Sequence, residues 1–231
     1  MKIGIIGAMA QEVEVLKTKL QEMQTWSKAG ATFYAGQYAG HEVIVVQSGI
    51  GKVLSSITTS LLIQQYNVEA IINTGSAGGI GAGLAVGDLV ISDKLAYHDV
   101  DATGFGYAYG QVPGGMPLYY QADEKLLAAV EQAAQKTGHP VKKGLIVTGD
   151  SFIADPQKIA DILAHFPEAL ACEMEGAAIA QTAMQFEVPF LVVRAMSDTA
   201  DHDATQTFDE FIEVAGKRSA EMVLAFVEAL D

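Results

Sequence analysis

Two glutamates, Glu173 and Glu175, stand two residues apart between a short apolar run and an alanine-rich stretch typical of a helix. Residues i and i+2 of an extended chain point to the same face, so we expect both carboxylates to face one pocket if the run is a strand. Ionised carboxylates only accept hydrogen bonds, which suits the vicinal hydroxyls of a sugar. A solvated turn between a strand and a helix explains this segment equally well when it is taken alone.

Candidate site residues also follow four other apolar runs that we interpret as buried strands. The carboxyl ends of parallel strands meet at one edge of a sheet, where open α/β sheets bind ligands. Each residue also has an ordinary explanation as a turn, cap or core side chain, so the evidence lies in their recurrence at one edge. The residues are Glu12 after 2–7, Ser76 and Gly78 after 70–74, Phe152 and Ile153 after 143–148, and Ser197 and Asp198 after 189–196.

Asp198 is a candidate acid, and Glu12 is a candidate site residue at the rim of the sheet. Asp198 ends a long apolar run, and burial there would raise the pKa of a carboxyl above its ordinary value of about 3.9. Glu12 stands in the first turn of a helix predicted over 11–24, where an acid also interacts favourably with the helix dipole. For Glu12 alone that second, purely structural explanation is the stronger one.

The elements that would position these residues alternate between strands and helices after an initial hairpin. This alternation predicts a three-layer α/β/α sandwich with a central mixed β-sheet, in a single domain that spans residues 1–231. The loop over 100–120 is long and rich in aromatic residues, which suggests an interface. The predicted hairpin covers 31–38 and 41–47, a further strand covers 87–97, and helices cover 52–66, 123–137, 156–165, 176–186 and 207–230.

Composition excludes several classes of function. The net charge of -14 argues against nucleic acid and against an anionic membrane surface as partners. The chain has only two arginines, so a phosphate site built from an arginine cluster is excluded. It shows neither a signal peptide nor a run of about 18 apolar residues, so we expect a cytoplasmic protein. His98, Asp99 and Asp101 match no spacing typical of metal ligands, and we expect no metal.

Six motifs occur in order along almost the whole length of the chain. As a set they resemble the bacterial 5'-methylthioadenosine/S-adenosylhomocysteine nucleosidases of the nucleoside phosphorylase superfamily. The resemblance implies hydrolysis of the N-glycosidic bond of an adenine nucleoside with a thioether at C5', as in methionine salvage and adenine recycling. It also implies a homodimer and no cofactor. The motifs are 4–9 with Glu12, 48–52, 73–78, 149–152, 173–175 and 193–198.

The resemblance assigns roles residue by residue. Glu12 matches the base that activates water, Asp198 the acid at adenine N7, and Glu175 the carboxylate that holds the ribose hydroxyls. The other matches contact the substrate. Around the sugar and the water they are Met174, Ser76 and the outer carboxylate Glu173, with Gly78 and Ser197 in the same motifs. At the base, Phe152 stacks on adenine and the backbone at Ile153 or Phe152 contacts the base edge. Around the alkylthio group they are Met9, Ile50 and Phe208, and a second subunit contributes Phe105 and Pro113.

Three alternatives remain open. A phosphorylase of the same superfamily would need cations for phosphate, whereas this chain offers Glu12 at the first loop and Asn73 where phosphorylase relatives tend to place arginine. A hydrolase for another nucleoside, such as futalosine, agrees less well with the apolar residues assigned to the 5' group. A binding module without turnover agrees poorly with an intact Glu12 and Asp198.

Overall fold

The computed structural model describes residues 1–138, 141–200 and 204–230. Strands and helices alternate through these ranges, together with a short 3-10 turn at Thr103–Phe105 in the long loop. The strands are β1 (Lys2–Gly7), β2 (Gln21–Lys28), β3 (Ala31–Tyr38), β4 (His41–Gln47), β5 (Ala70–Gly79), β6 (Leu89–Tyr97), β7 (Tyr120–Gln121), β8 (Val141–Thr148), β9 (Ala169–Glu173) and β10 (Phe190–Asp198). The helices are α1 (Ala10–Lys19), α2 (Lys52–Tyr66), α3 (Glu124–Thr137), α4 (Pro156–His165), α5 (Gly176–Gln185) and α6 (Ala204–Val227).

The strands form one mixed sheet, which confirms the predicted fold class. Their order is β10-β6-β8-β9-β5-β1-β4-β3-β2, and β7 pairs with β6. β5 is long enough to pair with β1 and β10 and, at its last two residues, with β9. Because β10 pairs with both β5 and β6, the strands β5, β9, β8, β6 and β10 close into a ring. This closure brings the carboxyl ends of several strands together.

Helices cover both faces of the sheet. In β4, Val43 and Val45 pack with α1 and α6 on one face, while Ile44 and Val46 pack with α2 on the other. A strand that is buried on both faces reads as an unbroken apolar run, and 43–46 is such a run. Helix α3 joins the first layer, α5 joins the second, and α4 packs against β8 and β9. Two buried layers of side chains therefore hold the strand ends in place.

The predicted helix over 11–24 is wrong in its second half. Helix α1 ends at Lys19, and Gln21–Lys28 forms β2, an edge strand that pairs with β3. Trp26 of β2 stacks on Phe33 of β3, with ring centroids 5.6 Å apart. Packing of this aromatic pair across the hairpin overrides the helix-compatible composition of a segment that is largely exposed.

Strand β5 continues to Gly79, five residues beyond the predicted strand over 70–74. The small residues of this extension serve close packing. A Cβ atom at Gly75 would lie 2.5 Å from Glu12 Oε1 and 2.6 Å from Arg194 Nη1. The other predicted elements are present with small shifts at their ends.

Within the described ranges, none of the helices combines the length and the apolar character that crossing a membrane requires.

Candidate active site

A cavity of about 470 Å³ opens where the strand ends meet. The structure brings together in its wall every predicted site residue except Phe105 and Pro113. The cavity-lining residues that were predicted are Met9, Glu12, Ile50, Ser76, Gly78, Phe152, Ile153, Glu173, Met174, Glu175, Ser197, Asp198 and Phe208.

Glu12 is almost completely buried at the start of α1. One carboxylate oxygen accepts hydrogen bonds from the backbone N–H groups of Ala8, at 2.7 Å, and Met9, at 3.1 Å. The other oxygen accepts from the N–H and hydroxyl of Ser76, at 2.9 and 3.0 Å. These donors come from the β1–α1 connection and from β5, so they fix the carboxylate against two elements. Glu12 therefore both caps its helix and faces the cavity.

Asp198 ends β10, just after an irregularity in the pairing of β10 with β5. It is 1% exposed. One of its oxygens accepts a hydrogen bond from the Ser197 hydroxyl at 2.8 Å, and the other accepts from the Ala200 N–H at 2.8 Å. A Cβ atom at Gly78 would approach the second oxygen to 3.0 Å, so a glycine there lets the carboxylate lie close to β5.

Arg194 of β10 is buried behind the two glutamates. Its guanidinium donates to Glu173, to Glu175 at 3.3 Å, to the side-chain oxygen of Asn73 at 2.7 Å and to the carbonyl of Ser76 at 3.2 Å. Burial lowers the pKa of Arg194, but the carboxylates of Glu173, Glu175 and Glu12 outweigh it, so the net shift is upward. The inner end of the cavity therefore carries one permanent positive charge among several acids.

Glu173 and Glu175 both line the cavity, but not because they lie on one extended strand, as their spacing suggested. Strand β9 ends at Glu173, and Glu175 is the N-cap of α5 with a non-extended backbone. Glu173 instead accepts hydrogen bonds from the N–H groups of Glu175, at 3.0 Å, and Gly176, at 2.8 Å, and from the Thr148 hydroxyl. Together with Arg194, these protein donors engage both oxygens of Glu173, although its side chain forms part of the cavity wall.

Burial raises the pKa of Glu175 from its ordinary 4.5 to about 7. The carboxylates of Glu173 and Glu12 contribute to this rise, whereas the Arg194 guanidinium and a hydrogen bond from the Gly51 N–H, at 2.9 Å, oppose it. Glu175 is thus an acceptor whose charge depends on pH near neutrality, and the first turn of α2 contributes to its environment.

The outer part of the cavity is apolar. The rings of Phe152 and Phe208 meet edge to face with centroids 5.5 Å apart. Ile50 and Phe152 are 52% and 43% exposed. Met9 and Met174 complete this part of the wall. Such a surface suits a flat ring and an apolar substituent.

Sequence reasoning missed several residues of this site. Arg194 is the most consequential, because it had been counted as an arginine without any prediction of its partners. An arginine inside an apolar strand could have indicated these partners, because a buried cationic side chain is normally paired with acidic groups. Cys172 also lines the cavity, and burial raises the pKa of its thiol, which suits a small core residue rather than a nucleophile. The other unpredicted lining residues are Ala8, Ala77, Ser151, Thr205 and Asp209.

Phe105 and Pro113 lie in the long loop, outside the cavity of the single chain. Phe105 is 87% exposed and Pro113 is also exposed. Their contribution from a second subunit stays a prediction. Among residues 1–138, 141–200 and 204–230, no group of three or more His, Cys, Asp or Glu side chains has the geometry to hold a metal ion.

Comparison with known proteins agrees with this architecture. Residues 2–228 match the family model of the phosphorylase superfamily. A 5'-methylthioadenosine/S-adenosylhomocysteine nucleosidase of Shewanella pealeana is 53% identical, and one of Actinobacillus succinogenes is 50% identical, each over the full length of both chains. The S-adenosylhomocysteine nucleosidase of Streptococcus pyogenes, solved in complex with 5-methylthiotubericidin, superposes with a TM-score of 0.97 at 52% identity, covering 100% of this chain and 98% of that one.

The chain therefore belongs to the phosphorylase superfamily. Within that superfamily, its full-length relatives place it in the family of 5'-methylthioadenosine/S-adenosylhomocysteine nucleosidases.

Proposed function

We propose that the protein hydrolyses the N-glycosidic bond of 5'-methylthioadenosine and S-adenosylhomocysteine, releasing adenine and the corresponding 5-thioribose. The observation that carries this proposal is the convergence of Glu12, Glu175 and Asp198, all nearly buried, on one cavity with an apolar outer part. The names of the relatives support the choice of substrate. We assign the whole activity to a single domain.

Asp198 acts as the acid at the leaving group. Cleavage leaves negative charge on adenine, and a proton or hydrogen bond at N7 relieves it. A positioned general acid typically contributes about 10²–10⁴-fold to a rate. The hydroxyl of Ser197 and the N–H of Ala200 orient the Asp198 carboxyl toward this task.

Glu12 acts as the base for water, and Glu175 holds the ribose. As the bond breaks, positive charge develops on the sugar, and fixed carboxylates around it stabilise that charge. Water attacks from the face opposite the leaving base, which is the logic of an inverting glycosidase. Ser76 holds Glu12 through two hydrogen bonds and lies where water and ribose would meet.

The apolar outer part of the cavity binds the two ends of the substrate, which are the adenine ring and the alkylthio group. Phe152 stacks on adenine, and the backbone at Phe152 or Ile153 reads the base edge. Met9, Ile50 and Phe208 surround the alkylthio group, with Met174 beside the sugar. Gly78 allows close approach of the ligand to β5, and Ser197 holds the acid. Glu173 supports the site mainly through its hydrogen bonds to α5 and Arg194.

We also propose a homodimer in which Phe105 and Pro113 of each chain complete the partner's site. Phe105 is too exposed to contribute to its own cavity. The exposed face of α2 carries apolar side chains close to the cavity-lining Ile50, namely Val53, Leu54 and Ile57. A contiguous apolar face of this kind is typical of an interface. We expect this dimer to work in the cytoplasm on small adenine nucleosides.

Hydrolysis is favoured over phosphorolysis by the charges that line the cavity. Asn73 is engaged by Arg194 and by the carbonyl of Ile6, so it offers phosphate no free donor pair. Arg194 in turn is engaged by acids, and the described lining residues include no lysine. A phosphate entering beside Glu12 would be repelled.

A product assay tests the proposal. The purified protein is incubated with 5'-methylthioadenosine in phosphate-free buffer and in phosphate, and the products are separated by chromatography. We expect adenine and free methylthioribose at equal rates in both buffers. Cleavage that requires phosphate and gives the sugar 1-phosphate would establish a phosphorylase instead. Binding without cleavage in either buffer would leave the nucleoside-binding module as the better description.

A further inference from the structure

The start of α2 is capped by carboxylates from distant parts of the chain. Its N-cap is Gly51, which has no side chain to bind the free N–H groups that begin every helix. The Gly51 N–H donates to Glu175 at 2.9 Å, and the Lys52 N–H donates to Asp150 at 2.9 Å. One of these acceptors lies in the cavity and the other lies outside it.

Asp150 is itself held in place. Its own N–H donates to Asp99 at 2.9 Å, and the Lys52 ammonium lies 2.7 Å from Asp99 and 3.7 Å from Asp150. The contact with α2 is close, since a Cβ atom at Gly51 would lie 3.0 Å from the capping oxygen of Asp150. Gly51 also has a φ of 98°, which favours glycine. The first turn of α2 therefore has little freedom while Asp150 holds it.

We propose that Asp150 is a positioning residue for the cleavage reaction, because it fixes the first turn of α2 and so keeps the Gly51 N–H on the carboxylate of Glu175. The Asp150 side chain does not line the cavity, and its contact with the Lys52 N–H is the route by which it acts on Glu175. The inference rests on the role proposed above for Glu175 at the ribose.

The position of the Gly51 N–H has an electrostatic consequence. Four elements face the Glu175 carboxylate: α2 with the Gly51 N–H, β9 with Glu173, β10 with Arg194 and α1 with Glu12. A hydrogen bond to the ionised form lowers the pKa of a carboxyl. If the first turn of α2 loosens, that contribution weakens while the other three groups stay, so Glu175 ionises at higher pH.

The experiment compares kcat/KM for 5'-methylthioadenosine in the wild-type protein, Asp150→Ala and Asp150→Asn, from about pH 5.5 to about pH 9. In Asp150→Ala the acidic limb of the profile should move up by about half a unit to one unit, because a hydrogen bond to the ionised carboxylate is weakened. Its kcat/KM should fall roughly three- to tenfold at the acidic end of the profile and roughly two- to fivefold at pH 7, and it should approach the wild-type value at alkaline pH, where Glu175 is ionised in both. Asp150→Asn keeps an oxygen acceptor for the Lys52 N–H and should behave like the wild type.

Asp155→Ala is the matched control. Asp155 caps α4 from the same connection, by accepting from the Gln157 N–H at 2.9 Å, but α4 makes no hydrogen bond to Glu175. This variant loses a helix cap without loosening α2, so its acidic limb should stay at the wild-type pH. Thermal unfolding of each variant shows that it is folded.

Two results would overturn the inference. One is a loss in Asp150→Ala by the same factor at every pH, which would mark a general structural role. The other is an unchanged profile. Neither result would contradict the proposed function, because that proposal fails only if the wild-type protein does not cleave the nucleoside.

Discussion

The inner wall and the outer rim of the cavity differ in charge and in exposure to solvent. The inner wall, made of Glu12, Glu173, Glu175 and Asp198 with Arg194 behind the glutamates, is charged, and each of these residues is less than a tenth exposed. The outer rim, made of Ile50, Phe152 and Phe208, is apolar, and the first two residues are about half exposed.

The difference lies in how each part is held. Side chains of the inner wall are oriented by backbone N–H groups, hydroxyls and one guanidinium, so their positions are set before a substrate arrives. Preorganised polar groups of this kind are the main source of transition-state stabilisation in many enzymes. In the proposed mechanism the side chains of the rim contribute contact area, which would accommodate different 5' groups. We therefore expect changes in the inner wall to affect chemistry and stability, and changes in the rim to affect affinity.

Asp198→Asn should have the largest effect. The amide keeps the shape of the side chain but cannot deliver a proton, so kcat should fall by about 10²–10⁴-fold. Binding of 5'-methylthioadenosine, measured by calorimetry, should persist, because the rest of the cavity is intact. Turnover close to that of the wild type would remove Asp198 from the mechanism.

Arg194→Met should have the next largest effect, and on folding as well as activity. Removing the guanidinium leaves Glu173 and Glu175 buried without their counter-charge, and breaking such a buried pair typically costs about 3–5 kcal/mol of unfolding free energy. Urea unfolding followed by circular dichroism measures this. Arg218→Met is the control, since Arg218 is only partly buried and donates to the carbonyl of Gly87. Equal losses in both variants would contradict the special role of the inner charge.

The same contrast decides what could be predicted from the sequence. The apolar runs of β1, β5, β8 and β10 predicted buried strands because both faces of the sheet are covered, and the candidate residues after their ends predicted the cavity. The edge strand β2 could not be found this way. Its residues are mostly exposed and carry a helix-compatible composition, and only the pairing with β3 makes them a strand.

Within the site, residue types were easier to predict than contacts. The spacing of Glu173 and Glu175 suggested two equivalent carboxylates, but the helix that begins at Gly176 turns the chain between them. Glu173 therefore accepts hydrogen bonds from the start of α5 and from Arg194, whereas Glu175 accepts one from the Gly51 N–H. These partners lie far away in sequence, and no local pattern could reveal them.

The inner wall should also make activity depend on pH in a way the rim does not. Since the pKa of Glu175 is raised to about 7, the carboxylate forms as pH rises through neutrality and is lost as pH falls below it. The ribose hydroxyls need an ionised acceptor, so kcat/KM should rise about tenfold per pH unit below this value and level off above it. The profile for 5'-methylthioadenosine measures this. An acidic limb centred near the ordinary carboxyl value would show that burial does not control Glu175.

Ile50→Ala should have the smallest effect. Each buried CH₂ group contributes about 0.8 kcal/mol, and Ile50 is half exposed, so KM for 5'-methylthioadenosine should rise by about three- to tenfold while kcat changes little. Unfolding free energy should change by less than about 0.5 kcal/mol, as is usual for exposed positions. Val214→Ala is the control, because Val214 is 44% exposed on α6 and does not line the cavity. If Ile50→Ala reduced kcat as strongly as Asp198→Asn does, the rim would be part of the chemistry, and the division between a charged inner wall and a tolerant outer rim would be wrong.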